Sequence, residues 1–414
     1  MSARRILYVQ QSPGGGSATG LADMVAALDK ERFEPVVLCY RRSDACDRYR
    51  EAGAEVRVLE ATEREVVTPL PGSVRKATSP LRGHHGLRVV NRVLRRDLPM
   101  ARHIAAVIRE VGPDLVHHND NPRGDRASIL GARLVGLPQV AHVRFMPRYF
   151  RPVDRVLVRF VDRFVFVSEA VREHFLDTLG ERSVQGEVVY DSFDLARFGS
   201  VEPGEAERVR KELGVSPGSA LVSSFGRLVA WKGQEVFLRA VAEVARSHHE
   251  LHALVVGDAA EGPEGRAYVE SLHGLARELG LESRLTFTGF RSDVPEVMAA
   301  SDVIVHSSTQ PEPFGRVIVE AMAAGRPVVA TAAGGVPEIV EAGSTGLLAA
   351  PGDVHGVATA IGELLSNPDR AKAMAERGRD SVRNRFNADR FAEQLHRIYE
   401  STLADRRGGR TGTP

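Results

Sequence analysis

Cysteine is nearly missing from this chain: Cys39 and Cys46 are the only two in 414 residues. Two thiols seven positions apart make neither a disulfide framework nor a metal-ligand spacing, so a reducing compartment is the expectation. No window of about 18 apolar residues occurs, which argues against a membrane-spanning helix. The N-terminus runs from Arg4-Arg5 straight into Ile6-Leu7-Tyr8-Val9 without a long apolar stretch, so no secretory signal is expected and the location reads as cytoplasmic. Charge of one sign is also missing. The net charge is +1, which gives the whole molecule no nucleic-acid-type basicity. No Asp-x-Asp motif occurs, and the pairs His84-His85 and His248-His249 are adjacent residues in polar stretches. The expected metal set is therefore none.

What is present reads as a soluble α/β protein. The chain is 43% hydrophobic and 26% charged, long enough for two or three domains. Short apolar, β-branched runs at 6–9, 35–39, 56–59, 114–117, 139–143 and 164–167 alternate with amphipathic segments such as 21–29 and 100–111. This is the signature of a parallel sheet covered by helices. The pattern pauses around Pro203-Gly204 and Ser216-Pro217-Gly218. It restarts with runs at 221–225, 251–256, 285–287, 303–306, 327–330 and 346–349. The expected fold is thus two doubly wound, Rossmann-like domains, 1–195 and 196–385, facing across a cleft. A C-terminal helix at 386–405 is expected to pack back on the first domain, followed by a disordered tail at 406–414. In such sheets ligands gather at the carboxyl ends of the strands.

Two stretches carry most of the chemistry. In the first, Ser301–Ser308 leads into Glu312-Pro313-Phe314-Gly315-Arg316, an apolar helical run holding Glu320, and Gly334-Gly335. Phe314 and Gly315 lie where a loop turns into a helix, whose free N–H groups suit a phosphate or sugar hydroxyl. Most helical glutamates are solvated, but Glu320 is surrounded by Val317, Ile318, Val319, Ala321 and Met322. A buried carboxylate needs partners, and a sugar diol supplies two hydroxyl donors. In the second stretch, Gly226-Arg227 and Lys232-Gly233 follow a strand and precede a helix. An arginine fork and a lysine point charge can together neutralise a diphosphate.

These stretches resemble the retaining glycosyltransferases of family 4, the glycogen-synthase and sucrose-synthase type, with the two-domain GT-B fold. The resemblance covers most of the chain and is strongest over 221–353. It implies a nucleotide diphosphate sugar as donor substrate, such as a UDP- or GDP-sugar, and no cofactor. It also implies that Arg227 and Lys232 grip the diphosphate, that Glu312 contacts the transferred sugar, and that Glu320 holds the ribose. Gly226 and the amides of Phe314, Gly315 and Arg316 line the donor. Gly15 and Gly16 belong to a Gly-rich loop that approaches the donor phosphates. In the first domain His118 and Asn119, at the end of Asp114–Asp120, and His142 are placed near the acceptor. Arg144 takes the position of a catalytic-site histidine in many relatives. Val189–Asp194 resembles the family's interdomain segment, with Asp191 for Asn and Ser192 for Gly.

Residues 1–196 hold 30 Lys and Arg against 25 Asp and Glu, and the excess lies in 66–109, which holds nine basic residues and one acid, Asp97. Arg88, Arg92, Arg95 and Arg96 fall on one helical face, a pattern suited either to a solvated helix or to an anionic membrane through 74–102. Peripheral membrane contact would fit a lipid-linked acceptor in cell-surface polysaccharide or glycolipid synthesis. The expected activity is metal-independent, retaining transfer to a hydroxyl acceptor. Set against it are a glycoside hydrolase using Glu312 and Glu320, a sugar-nucleotide epimerase of the same fold, and a non-catalytic nucleotide-sugar-binding subunit.

Overall fold

The computed structural model describes residues 3–59, 93–120, 122–182 and 184–408. The chain divides into two compact units, Met1–Ser192 with Ala388–Pro414, and Phe193–Asn387. Each is built around its own parallel sheet.

The first unit has seven strands: β1 (Arg4–Gln10), β2 (Phe33–Cys39), β3 (Glu55–Val58), β4 (Leu115–His118), β5 (Gln139–Val143), β6 (Arg163–Phe166) and β7 (Gly186–Val188). Their order is β3-β2-β1-β4-β5-β6-β7. Alternate side chains of β1 and β2 enter opposite cores, as a two-residue repeat requires. Ile6, Tyr8 and Val37 meet Leu21, Met24 and Val25 of one covering helix, with Phe391, Leu395 and Tyr399 of another. Leu7, Val9, Val36 and Leu38 meet Met100, Ile104 and Ile108 on the other face.

The helix that supplies Phe391 to Tyr399 spans Ala388–Gly408, so the end of the chain completes the first sheet. The Tyr399 hydroxyl donates to the Tyr8 hydroxyl at 3.0 Å and sits 2.7 Å from His117 Nδ1. Of the tail expected to be disordered, 406–414, residues 406–408 are helical and the rest lies outside the described residues. Arg406 is still helical, and its guanidinium bonds both carboxylate oxygens of Asp162. The strand β7 was not anticipated, because three partly exposed residues at a sheet edge leave no apolar run to read. Of the basic segment 74–102, residues 74–92 lie outside the described residues. The part that is described enters the helix Leu98–Val111, whose apolar stripe packs on the sheet.

The second unit has six strands: β8 (Ala220–Phe225), β9 (Leu251–Val256), β10 (Leu285–Gly289), β11 (Val303–His306), β12 (Val328–Thr331) and β13 (Leu347–Ala349). Their order is β10-β9-β8-β11-β12-β13, all parallel. Val222, Val303, Val305 and Val329 pack beneath the helices Gln234–Val244 and Val354–Ser366. In both units the strand order reverses beside the first strand, between β1 and β4 and between β8 and β11. Such switch points open a crevice at the carboxyl ends. Among the described residues no helix is long and apolar enough to cross a membrane.

Tyr399 is fully buried, so Tyr399→Ala removes both an aromatic wedge and two hydroxyl contacts. Its expected cost is about 3–5 kcal/mol, read as a lowered urea midpoint of the first unit.

Candidate functional site

In the second unit the sequence-chosen residues collect at the β8/β11 switch point. β8 ends at Phe225, and the loop behind it carries Gly226, the exposed Arg227 and a short 3-10 turn, Ala230–Lys232. β11 ends at His306 and leads through Ser307 and Ser308 to Glu312. Gly233 lets these two loops close on each other, and Gly334, in the loop after β12, lets a third approach Glu312. A Cβ on Gly233 would stand 1.9 Å from the Ser307 carbonyl oxygen, and one on Gly334 would stand 2.1 Å from that of Glu312; both have positive φ. The Ser307 hydroxyl donates to the Gly233 carbonyl at 2.9 Å, and Gly335 N–H to the Glu312 carbonyl at 2.8 Å. Glu312 is therefore held from three sides of the sheet end.

Its carboxylate is where charge concentrates. Lys232 Nζ donates to Glu312 Oε2 at 2.7 Å and lies 4.4 Å from the Trp231 ring centroid. His306 Nε2 and Ser308 Oγ each stand 3.2 Å from the same oxygen. Burial acts to raise the carboxyl pKa, but the Lys232 charge and the His306 contact outweigh it and hold the group at about 2. His306 and Ser308 were visible in the sequence only as the end of a strand. Their convergence on Glu312 depends on the loop geometry, which spacing does not encode.

The turn after Glu312 begins the helix Arg316–Ala323, with Gly315 at its N-cap in a left-handed conformation. Phe314 is buried between Phe193 and Phe386, at centroid distances of 6.0 and 5.4 Å. This anchors the first turn so that its amides keep a fixed direction. The Arg316 guanidinium stacks on Phe193 at 4.3 Å and lies 3.8 Å from Glu320 one turn on. Glu320 is partly buried rather than sealed in the apolar face.

In the first unit the Gly-rich loop is exposed, and Gly15 caps the helix Gly16–Ala27 with a φ of 80°. Behind it lies a buried polar chain. Asn119 Nδ2 donates to Gln10 Oε1 at 2.7 Å, and Arg144 Nε donates to Asn119 Oδ1 at 3.0 Å. Arg144 Nη1 donates to Asp191, and Nη2 lies 3.4 Å from His142 Nδ1. The Arg144 and Asp191 side chains are 5% and 4% exposed, which makes a buried ion pair. Gly20 makes room for it, since a Cβ there would stand 2.7 Å from Arg144 Nη1.

The three residues assigned to the acceptor are not brought together. Asn119 and His142 converge on Arg144, whereas His118 points to the other face of the sheet. Its ring nitrogens lie 2.9 Å from Ser128 Oγ and 2.9 Å from Gln139 Oε1, and burial pushes it down to about 4. Both nitrogens of His118 are thus engaged inside the unit, away from Arg144. His117 and His142 lie side by side on the opposite face, their rings tilted by 49° with centroids 5.6 Å apart. Burial pushes both well below the usual imidazole range, and the Arg144 charge adds to the effect, so both are neutral. Among the described residues no group of three or more His, Cys, Asp or Glu side chains could hold a metal ion.

Two doubly wound sheets, with a cation–carboxylate pair and a helix N-terminus at one switch point, define the class of two-unit α/β folds whose strand ends suit an anionic ligand. The sequence profile described as Glycosyltransferase Family 4 matches residues 14–197, and that described as Glycosyl transferases group 1 matches residues 205–381. The chain belongs to glycosyltransferase family 4, and its architecture is GT-B.

It is 33% identical over 263 residues to the D-inositol 3-phosphate glycosyltransferase of Corynebacterium kroppenstedtii, covering 62% of this chain and 57% of that one. It is 32% identical over 280 residues to the GDP-mannose-dependent alpha-(1-6)-phosphatidylinositol monomannoside mannosyltransferase of Mycobacterium tuberculosis, covering 64% of this chain and 70% of that one. The crystal structure of Anabaena HepE in complex with UDP and glucose superposes with a TM-score of 0.79 at 28% identity, covering 96% of this chain and 99% of that one. The chain spans between 51% and 57% of the length of three of the curated relatives it matches.

Removing Asp191 leaves the Arg144 charge buried and unpaired. Asp191→Ala is expected to lose about 3–5 kcal/mol of stability, most of it recovered in the double variant Arg144→Met with Asp191→Ala, as chemical denaturation would show. Glu312 titrates below its unfolded value of 4.5, so its contribution is complete above that pH and fades as pH falls towards about 2. The stability gap between wild type and Glu312→Gln should therefore hold steady from about pH 7 to about pH 5 and shrink below that.

Proposed function

We propose that this protein is a retaining, metal-independent glycosyltransferase that moves a sugar from a UDP- or GDP-linked donor to a hydroxyl of a lipid-linked acceptor in glycolipid or cell-surface polysaccharide synthesis. The observation that carries the reading is the Lys232–Glu312 contact at the β8/β11 switch point, with the Gly315 helix N-terminus following in the same loop. The complex of HepE with UDP and glucose supports the donor class. The mannosyltransferase named for GDP-mannose and a phosphatidylinositol mannoside supports the lipid-linked acceptor.

In this reading the bond between the anomeric carbon and the diphosphate oxygen breaks, and negative charge grows on the departing phosphate. Arg227, Lys232 and the amides of Phe314, Gly315 and Arg316 are the fixed positive groups that meet that charge. Glu312, kept ionised by its partners, accepts hydrogen bonds from the sugar and faces the electron-poor anomeric carbon. Glu320 takes the ribose hydroxyls. The acceptor hydroxyl forms the new bond on the same face of the sugar, and the departing phosphate oxygen takes its proton. No separate protein base is then needed. In the first unit Gly15 and Gly16 approach the donor phosphates, Arg144 serves the transfer, and Asn119 and His142 beside it serve the acceptor side. Segment 74–102 supplies the contact to an anionic membrane on the cytoplasmic face.

Arg227→Ala and Lys232→Ala should each lower turnover by about 10²–10³-fold; the exposed Arg227 can be removed without a change in ligand-free melting temperature, whereas Lys232→Ala should lower it, because Glu312 loses its cation. The measurement is nucleoside diphosphate release from UDP-glucose and GDP-mannose. Wild-type turnover in either variant would sink the diphosphate assignment. A thermal shift with one nucleotide sugar, lost in Lys232→Ala, would identify the donor.

A further inference from the structure

Lys232, His306 and Ser308 all crowd onto one oxygen of Glu312. Lys232 is the closest, at 2.7 Å. If Lys232 turns towards a donor diphosphate, it gives up part or all of that contact. The carboxylate is then a buried anion whose desolvation favours the neutral acid. Something must keep it charged and aimed when the substrate is present.

His306 is placed to do this. It is the last residue of β11, in register with Ala330 of β12, and its side chain is 4% exposed. Its Nε2 faces Glu312 Oε2 at 3.2 Å and Ser308 Oγ at 3.1 Å. Its Nδ1 is buried and meets no protein partner. The polar contacts of the ring therefore lie on the side of the carboxylate, and Nε2 is the nitrogen placed to donate to it. The backbone around it is braced as well, because the Thr331 hydroxyl donates to the Ser308 carbonyl at 2.7 Å. The titratable groups that face this ring are Glu312, from its own loop, and Lys232, from the loop after β8.

We infer that His306 is a positioning residue for the transfer reaction: with Ser308 it holds the Glu312 carboxylate ionised and in register while Lys232 is engaged by the donor diphosphate. The inference rests on the reading of Glu312 and Lys232 given above. A histidine kept only to fill the strand end would be matched by an apolar side chain of similar size. A positioning histidine would not.

The test compares His306→Leu, His306→Gln and Glu312→Gln in the full chain, following release of UDP from UDP-glucose and of GDP from GDP-mannose across pH, with the melting temperature of each variant. Gln can present an N–H donor near the position of Nε2, whereas Leu cannot. For His306→Leu the expected result is a kcat lower by about tenfold or more, a donor KM within about twofold, and an acidic limb of the kcat profile moved up by about one pH unit. His306→Gln should recover most of the rate and return the limb towards that of the wild type. An unchanged kcat and acidic limb in His306→Leu would overturn the inference, whatever happens to its melting temperature. If His306→Leu does not fold, His306→Gln against the shorter His306→Asn decides the matter, since equal rates in the two would overturn it. Should Glu312→Gln itself turn over normally, the failure belongs to the reading of Glu312 rather than to His306.

Discussion

A carboxylate taken out of water is the constraint around which the second unit is arranged. Left alone, Glu312 would take up a proton, because desolvation favours the neutral form. Its ionisation requires a cation and further donors at fixed distance, and these come from the ends of two neighbouring strands. That requirement explains why the loops after β8 and β11 must nearly touch, and why glycine stands at 233 and 334 where a Cβ would collide with a carbonyl. It also explains why side-chain hydroxyls of Ser307 and Thr331 are spent on backbone carbonyls.

The first unit solves a similar problem with an ion pair. Arg144 and Asp191 neutralise each other under the Gly-rich loop, with Asn119 and His142 completing the shell. Neutral histidines at 117 and 142 suit this arrangement, since a third buried charge beside the guanidinium would be repelled. The two units thus carry different polar centres on the same kind of sheet.

Much of this was legible in the sequence because parallel strands buried on both faces read as unbroken apolar runs. The runs at 139–143, 251–256 and 303–306 coincide with β5, β9 and β11. The opposed directions of His117 and His118 also follow from the two-residue repeat of a strand. Other features were hidden for physical reasons. β7 is three residues long and half exposed, so it lacks a core signal. The pairing of Arg144 with Asp191 joins residues 47 apart, and the contact of Lys232 with Glu312 joins residues 80 apart. Motif spacing names such residues without saying which will touch. The engagement of His118 with Ser128 and Gln139 likewise depends on which face of β4 it occupies, which its place in the motif does not state.

The helix Ala388–Gly408 completes the first unit although the whole second unit precedes it in the chain. This has a consequence for biosynthesis. The face of the first sheet formed by Ile6, Tyr8 and Val37 stays partly uncovered until Phe391, Leu395 and Tyr399 have been made. At about 5–20 residues per second, the intervening stretch keeps that apolar face waiting for on the order of ten seconds or more. The second unit, being continuous, can close as soon as Asn387 is synthesised. The unit begun first is therefore the one finished last, and a chain truncated before residue 388 would carry an intact second unit beside a first unit with its core open to water.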